Sequence, residues 1–307
     1  MNKFADLEAL VAVVDTGSFS AAAERLGIAK SVISRRISLF EERLGNKLLY
    51  RTTRRLSLTD SGRDLYHQAM QILNDLHDAE QHASEGSTSL QGKIRIAAPL
   101  SFGLRHLSHT LATFMLKHPG IELDIDLNDR EINLVEDGFD MAIRVGELQD
   151  STLIAKRLGT IRSITCASPG YLERYGEPKH PEDLNKHMAL QYAYVSPRQQ
   201  WRFIDSTNKI HIVQPRIVMK ANNGEVLANA ACSDIGITST PSFILNDYCQ
   251  QGKLIPILND YSKAEIGLYA LFPPGRLISQ RMRRLADFLA SQYGETPYWD
   301  ACLKNTH

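Results

Sequence analysis

Between Lys30 and Arg55 the sequence gathers eight basic residues, Lys30, Arg35, Arg36, Arg43, Lys47, Arg51, Arg54 and Arg55, against only Glu41 and Glu42. Closely spaced cations do one kind of chemistry well: they neutralise phosphates and release the counterions around them. A charge run can also be a plain solvated face, so the surrounding pattern has to decide. Ser31, Ser34 and Ser38 are interleaved with the cations, and small hydroxyls beside Arg and Lys suit base edges and phosphates together.

Short helices must position these groups. Phe4, Leu7, Leu10, Val11 and Val14 recur at helical spacing, and Thr16-Gly17 ends that helix. Ser18 is an N-cap candidate for a second helix with the stripe Phe19, Ala22, Ala23 and Leu26. Gly27 follows as a left-handed turn residue, having no Cβ to clash. A third helix is predicted from about residue 30, with Val32, Ile33, Ile37, Phe40 and Leu44 inward and Gly45 as its stop. Two helices about a Gly-bearing turn are helix-turn-helix geometry, whose second helix can enter the major groove. Its outward face would carry Lys30, Ser31, Ser34, Arg35 and Ser38. Leu48–Arg51 and Arg55–Leu58 read as short strands flanking Thr52-Thr53-Arg54, a basic-tipped wing for a phosphate backbone or the adjacent minor groove. The alternative is a small dimerisation module with an incidentally basic face.

At this point the sequence resembles a known family. Gly17-Ser18-Phe19-Ser20-Ala21-Ala22-Ala23-Glu24-Arg25-Leu26, then Ser31-Val32-Ile33-Ser34-Arg35-Arg36-Ile37, resembles the helix-turn-helix of LysR-type transcriptional regulators. So do Leu39-Phe40-Glu41-Glu42-Arg43-Leu44-Gly45, Arg51-Thr52-Thr53-Arg54 and Leu58-Thr59-Asp60-Ser61-Gly62. Lys30 departs from the pattern, where many members have Gln, which puts the usual operator preference in doubt. The DNA-contacting candidates are Ser18, Lys30, Ser31, Ser34, Arg35, Ser38, Arg51, Thr53, Arg54 and Arg55.

Thr59 can cap a helix from Asp60 to about Ser84, along which Leu65, Ala69, Ile72, Leu76, Ala79 and Ala83 are spaced four and three apart. That is a heptad seam of the width two helices share. Tyr66, Met70 and Leu73 widen it, so the helix can also touch its own DNA-binding domain. The resemblance implies dimerisation through this helix, as a homodimer or a dimer of dimers. His77 and His82 share no face well enough for a metal.

From residue 91 the pattern changes to strands alternating with helices, which argues for parallel sheets flanked by helices. Strands are predicted at Lys93–Ala98, Ile121–Leu127, Met141–Val145, Ser163–Ala167, Ile217–Lys220, Ile235–Thr238 and Gly267–Phe272. Helices are predicted at Ser101–His118, Glu131–Gly138, Glu225–Cys232, Pro241–Gln251 and Ser279–Tyr293, with Phe114 and Met115 as core. This region also resembles the family's effector-binding domain, itself similar to periplasmic solute-binding proteins. The resemblance implies two lobes, about 91–164 with 267–295 and about 165–266, holding a small molecule between them.

Pro99-Leu100-Ser101-Phe102-Gly103 joins a strand to a helix, so Ser101 and the open N–H groups of that helix suit a carboxylate. Asn222-Asn223-Gly224 precedes another helix in the same way and is expected to face it; plain capping and turn chemistry are the alternatives. Arg144 and Arg130 are candidate counter-charges, or surface ion-pair partners. The effector candidates are Leu100, Ser101, Phe102, Asn128, Arg144, Gly146, Asn222 and Asn223, and a small organic anion is the expected effector.

The predicted fold class is therefore α/β behind a helix-rich N-terminal domain. A winged helix-turn-helix (1–59) and a long linker helix (60–90) precede a two-lobed effector domain (91–307). Thirty-five Lys and Arg balance 35 Asp and Glu, so bulk charge does not point to nucleic acid, only the local cluster. Nothing approaches the roughly 20 apolar residues of a membrane helix, and no leader is visible. Cys166, Cys232, Cys249 and Cys302 lie far apart without a C-x-x-C pair, suggesting neither zinc nor a disulfide framework. No P-loop, H-E-x-x-H or G-x-S-x-G occurs, and His106 and His109 lack a further metal ligand nearby, so neither enzyme nor cofactor is expected. The expected partners are double-stranded DNA, a small effector, a second copy and, by the resemblance, RNA polymerase, in the cytoplasm. The rival is a cytoplasmic small-molecule-binding protein whose N-terminal unit only dimerises.

Overall fold

The computed structural model of the protein describes residues 2–51, 56–83, 90–130, 132–148, 151–194, 201–262, 265–274, 278–294 and 297–300. Three helices open the chain: α1 (Lys3–Thr16), α2 (Phe19–Leu26) and α3 (Lys30–Leu44). The turn between α2 and α3 rests on Gly27 at φ 65°, a conformation a side chain would strain. Leu10, Val13, Ile33, Ile37 and Phe40 pack with Leu48 and Leu49 into one small core. Val32 and Leu44, expected inward, are instead 43% and 42% exposed. The buried stripe of α3 runs through Ile33, Ile37, Phe40 and Glu41, so those two sit on its flank.

Strands β1 (Leu49–Arg51) and β2 (Leu56–Leu58) form the antiparallel wing, with Leu49 opposite Leu58. The tip, including Thr53, Arg54 and Arg55, lies outside the described residues. The linker helix α4 (Asp60–Ala83) starts where the Thr59 hydroxyl accepts the Gly62 amide at 2.9 Å. Gly62 has a steric reason: a Cβ there would stand 2.0 Å from the Leu48 carbonyl oxygen.

The rest of the chain builds two five-stranded sheets. The elements are β3 (Gln91–Ala98), α5 (Leu100–Phe102), α6 (Ser108–Lys117), β4 (Gly120–Leu127), β5 (Met141–Gly146), β6 (Ile154–Ile161), β7 (Ser163–Ala167) and α7 (Pro169–Tyr175). Then come β8 (Met188–Tyr192), β9 (Trp201–Ile204), β10 (Ile210–Val213), β11 (Arg216–Ala221), α8 (Gly224–Cys232), β12 (Ile237–Pro241) and α9 (Ser242–Gln250). β13 (Ile255–Ile257), β14 (Ile266–Phe272) and α10 (Gln280–Tyr293) complete the set. The first sheet runs β4-β3-β5-β14-β6 and the second β11-β8-β12-β7-β13. Both are mixed rather than parallel: β3 runs parallel to β4 and β5, while β14 pairs antiparallel with β5 and β6.

The chain passes from first sheet to second at Arg162, between β6 and β7, and returns between β13 and β14. A single helical path from Leu100 to Lys117 carries a π-helical turn at Gly103–Leu107. Phe114 is core, but Met115 is 38% exposed, because the π turn shifts the register of the buried face. Residues 132–138 make one turn instead of a helix: the Asn133 carboxamide accepts the Val135 amide, and Gly138 at φ 69° breaks the path. The strand expected at Ile235–Thr238 begins at Ile237, since Asp234 takes the left-handed conformation and Ile235 lies at the surface.

A short helix at Tyr298–Asp300 closes the described chain. Trp299 is 1% exposed and lies edge-on to Phe102, with His106, Phe243 and Tyr293 around it.

Candidate DNA-reading face and effector cleft

The exposed face of α3 carries Lys30, Ser31, Arg35 and Ser38, with Ser34 half-buried beside them. Ala29 gives α3 no side-chain cap; its carbonyl accepts the Val32 amide at 2.9 Å. Ser18 is the N-cap of α2, its hydroxyl oxygen accepting from the Ser20 and Ala21 amides at 3.2 and 3.4 Å. Its own O–H can still donate to a phosphate.

Part of the basic cluster serves the fold instead. Arg43 pairs with buried Asp6 at 3.0 Å, and Arg36 donates to the Ala5 carbonyl at 3.3 Å. Lys47 meets Glu41 at 3.0 Å. Glu41, read from sequence only as an opposing charge, is 2% exposed and accepts the Leu48 and Leu49 amides at 2.9 and 3.2 Å. It fixes the entry to the wing. Arg51 lies in β1, and its side chain lies outside the described residues.

Along α4, two of the expected seam residues are spent within the chain. Leu65 packs against the core of the three-helix domain and Ala69 is fully buried. Nearby, the Tyr66 hydroxyl donates to Asp15 of α1 at 2.6 Å, and Arg95 of β3 meets His67 Nδ1 at 3.1 Å. Burial and the Arg95 charge hold His67 below its ordinary value. Ile72, in contrast, is 43% exposed, and Leu76 is half-buried. The side chains of His77, Ala79, His82 and Ala83 lie outside the described residues.

In the effector domain the two expected helix starts do meet. The Asn223 carboxamide donates to the Ser101 hydroxyl at 3.2 Å, while its oxygen caps the Glu225 amide at 2.9 Å. Between them lies a residue that sequence reasoning missed. Asp129 accepts the Leu100 amide at 3.1 Å through Oδ1 and the Asn223 carboxamide at 3.3 Å through Oδ2. The carboxylate expected from a ligand is thus supplied by the chain. Tyr192 faces the same place, its hydroxyl pushed up by burial and then by the Asp129 charge.

Other candidates fall elsewhere. Phe102 is fully buried, packed edge-on against Phe243, Tyr293 and Trp299 in the aromatic cluster. Asn128 is half-buried and turned onto its own loop, donating to Asp126 at 2.7 Å and accepting the Arg130 amide at 3.2 Å. Gly146 ends β5 at φ 151°, Arg144 is half-buried two residues earlier, and Asn222 and Arg130 are exposed. The residues after β3, β4 and β5 share one end of the first sheet, where ligands bind in open α/β folds.

Arg105 was also missed. From the π turn its guanidinium reaches Glu225 of α8 at 2.5 and 2.9 Å and Asp247 of α9 at 2.7 Å. It therefore ties the first lobe's helical path to α8 and α9 of the second. The His106-x-x-His109 pair makes no metal site: His106 is buried among aromatic rings and His109 is exposed. His106 Nε2 lies 3.1 Å from the Phe243 carbonyl and Nδ1 lies 2.6 Å from the Tyr298 hydroxyl. A carbonyl only accepts, so Nε2 carries the proton and Nδ1 accepts from tyrosine.

The chain shares these features with known proteins. Residues 4–63 match the family described as bacterial regulatory helix-turn-helix protein, lysR family, and residues 87–294 match the LysR substrate binding domain. An uncharacterized HTH-type transcriptional regulator of Haemophilus influenzae is 35% identical over 90% of this chain and 96% of its own length. CrgA of Neisseria meningitidis serogroup C is 33% identical over 94% of this chain and 96% of its own. The solved structure of CrgA, a LysR-type transcriptional regulator from that species, superposes with TM-score 0.58 at 33% identity, covering 95% of this chain and 98% of that one. Full-length AphB, the Vibrio cholerae virulence activator, gives 0.56 at 29% identity, covering 94% and 99%. The chain belongs to the LysR family of transcriptional regulators, a helix-turn-helix DNA-binding domain followed by an effector-binding domain.

Proposed function

We propose that two copies of this regulator, joined through the second half of α4, read an interrupted two-fold operator with α3. Lys30, Ser31, Ser34, Arg35 and Ser38 face the major groove, while Ser18 and the wing residues Arg51, Thr53, Arg54 and Arg55 hold phosphates. The observation that carries this reading is the face of α3. After Arg36, Arg43 and Lys47 have gone to the fold, the cations on its first two turns point to solvent. Exposed Ile72 supports the dimer contact, and no helix among the described residues is long and apolar enough to cross a membrane. The protein works in the cytoplasm, and RNA polymerase is its partner in transcription.

The effector enters beside Asp129 and presents a hydrogen-bond donor, an ammonium above all, to that carboxylate. A simple carboxylate would meet like charge there. The expected organic anion is the second reading, carried by the Ser101 hydroxyl, which accepts from Asn223 and keeps its own O–H to donate.

Binding to a genomic fragment library at moderate salt tests the first part. The expected result is one enriched interrupted palindrome, with affinity falling steeply as salt rises; no enriched site would overturn it. Calorimetry of amines, amino acids and carboxylates tests the second. Saturable heat from amine-bearing compounds, lost in Asp129→Asn, is expected. Saturable heat from simple carboxylates alone would restore the anion.

A further inference from the structure

Cys166 and Cys249, 83 residues apart in sequence, bring their sulfurs within 3.7 Å of one another in the second lobe. Cys166 stands in β7, fully buried, opposite Thr238 of β12 and Pro256 of β13. It is held on both edges. Cys249 is half-buried in the last turn of α9, and the chain beyond it bends at Gly252, φ 68°. A disulfide needs the sulfurs about 2.05 Å apart, so the gap has to close by about 1.7 Å. A strand paired on both sides resists that movement; a helix end followed by a left-handed glycine accommodates it.

Cys249, half-buried, keeps part of its surface in solvent. A cleft of about 620 Å³ opens beside the pair, lined by Ser168, two residues past Cys166, and by Tyr248 and Gly252 on either side of Cys249. Cys232 lines the same cleft, its thiol pushed up by burial.

We propose that Cys166 and Cys249 form a reversible intrachain disulfide when the protein meets a hydroperoxide. The Cys249 thiolate attacks one peroxide oxygen, the O–O bond breaks, and the departing oxygen takes a proton to leave as water or an alcohol. The sulfenic acid so formed on Cys249 is attacked by the Cys166 sulfur. The S–S bond forms, the S–O bond breaks, and hydroxide leaves as water with the Cys166 proton. Two electrons pass from the dithiol to the peroxide. Because α9 also carries Asp247 to Arg105 and the Phe243 carbonyl to His106, drawing its end towards β7 acts on the contacts that join the lobes.

The test uses the full chain with hydrogen peroxide at a few equivalents, then thiol counting, intact mass and peptide mapping. Wild type and Cys232→Ser are each expected to lose two thiols and two hydrogens of mass, with a single linked pair containing Cys166 and Cys249, reversed by dithiothreitol. Cys249→Ser is expected to form no intrachain link. An unchanged thiol count, a link through another cysteine, or oxidation stopping at a sulfinic acid on Cys249 would overturn the proposal. Should the variant fold poorly, the linked peptides of the wild type decide alone. Hydrogen exchange at residues 103–107 reads the coupling: it is expected to change on oxidation in wild type, and unchanged exchange would remove the link to the lobe contacts.

Discussion

Two charged side chains of the same helix do opposite jobs in the three-helix domain, one exposed and one buried. Arg35 projects from α3 into solvent. Replacing it with Ala is expected to leave the thermal midpoint in place and weaken operator binding by roughly 1–3 kcal/mol if it reads a base. Competition with non-operator DNA separates this from a phosphate contact, which would weaken both sequences equally. Glu41 faces inward, and its carboxylate holds two buried amides at the start of the wing. Glu41→Ala strands both donors and is expected to cost roughly 2–4 kcal/mol in urea unfolding. A loss below about 1 kcal/mol would mean that water replaces the carboxylate. Composition cannot tell these two roles apart, since Glu41 enters a charge count as one more surface acid. Asp129 was missed for a related reason. Asn128, Asp129 and Arg130 follow β4 together, and only the loop's path decides which of them turns to Asn223 and which caps its own turn.

At the scale of elements, close approach matters more than propensity. Gly62 lies within the first turn of α4, where its missing Cβ lets the helix pass the Leu48 carbonyl. Gly62→Ala favours helix locally, yet is expected to push α4 off the wing and destabilise the DNA-binding domain by about 1–3 kcal/mol or more. Unfolding followed by hydrogen exchange should place the loss in residues 3–76, with the sheets of the effector domain unchanged; a more stable variant would remove the steric argument. The helix-turn-helix was legible because its period, its Ser18 cap and its Gly27 turn are local signals that tertiary contacts do not oppose. Most effector-domain helices were legible for the same reason. What escaped was non-local: β8 and β13 are short, β6 lies against β14 more than a hundred residues on, and all three owe their strand state to neighbours far off in sequence. The π turn at Gly103–Leu107 likewise leaves no periodic trace, yet it carries Arg105, whose guanidinium reaches across the lobes. The seam of α4 was half legible, since spacing cannot say that Leu65 and Ala69 already face their own domain.

Over the whole molecule, the segment after α10 fastens the two lobes together. Trp299 fills a space bounded by Phe102, His106 and Tyr293 of the first lobe and Phe243 of the second. Asp300 accepts from Arg162 at the crossover, at 2.6 Å, and from Ser242 at the start of α9, at 2.5 Å. Trp299→Ala is expected to cost roughly 3–5 kcal/mol of stability in the effector domain. The same joint gives a pH dependence with a definite sign. Burial first, and the Arg105 charge after it, hold His106 below its ordinary value, and the bond to the Phe243 carbonyl only partly offsets them. The unfolded chain binds a proton near pH 6.5 that the folded pocket refuses. Stability from this group is therefore present above about pH 6.5 and is lost as pH falls through the folded value. His67 and His187, also held low by burial, add slope of the same sign. The contribution of His106 is thus read as the difference between wild type and His106→Gln in denaturant unfolding from pH 7.5 to 5. The variant is expected to be less stable at pH 7.5, with a shallower decline, so that the two curves converge in acid. Parallel curves would mean that His106 takes up its proton equally in the folded and unfolded chain; curves that diverge in acid, wild type gaining on the variant, would mean that it is charged in the fold and that the Tyr298 hydroxyl accepts from Nδ1.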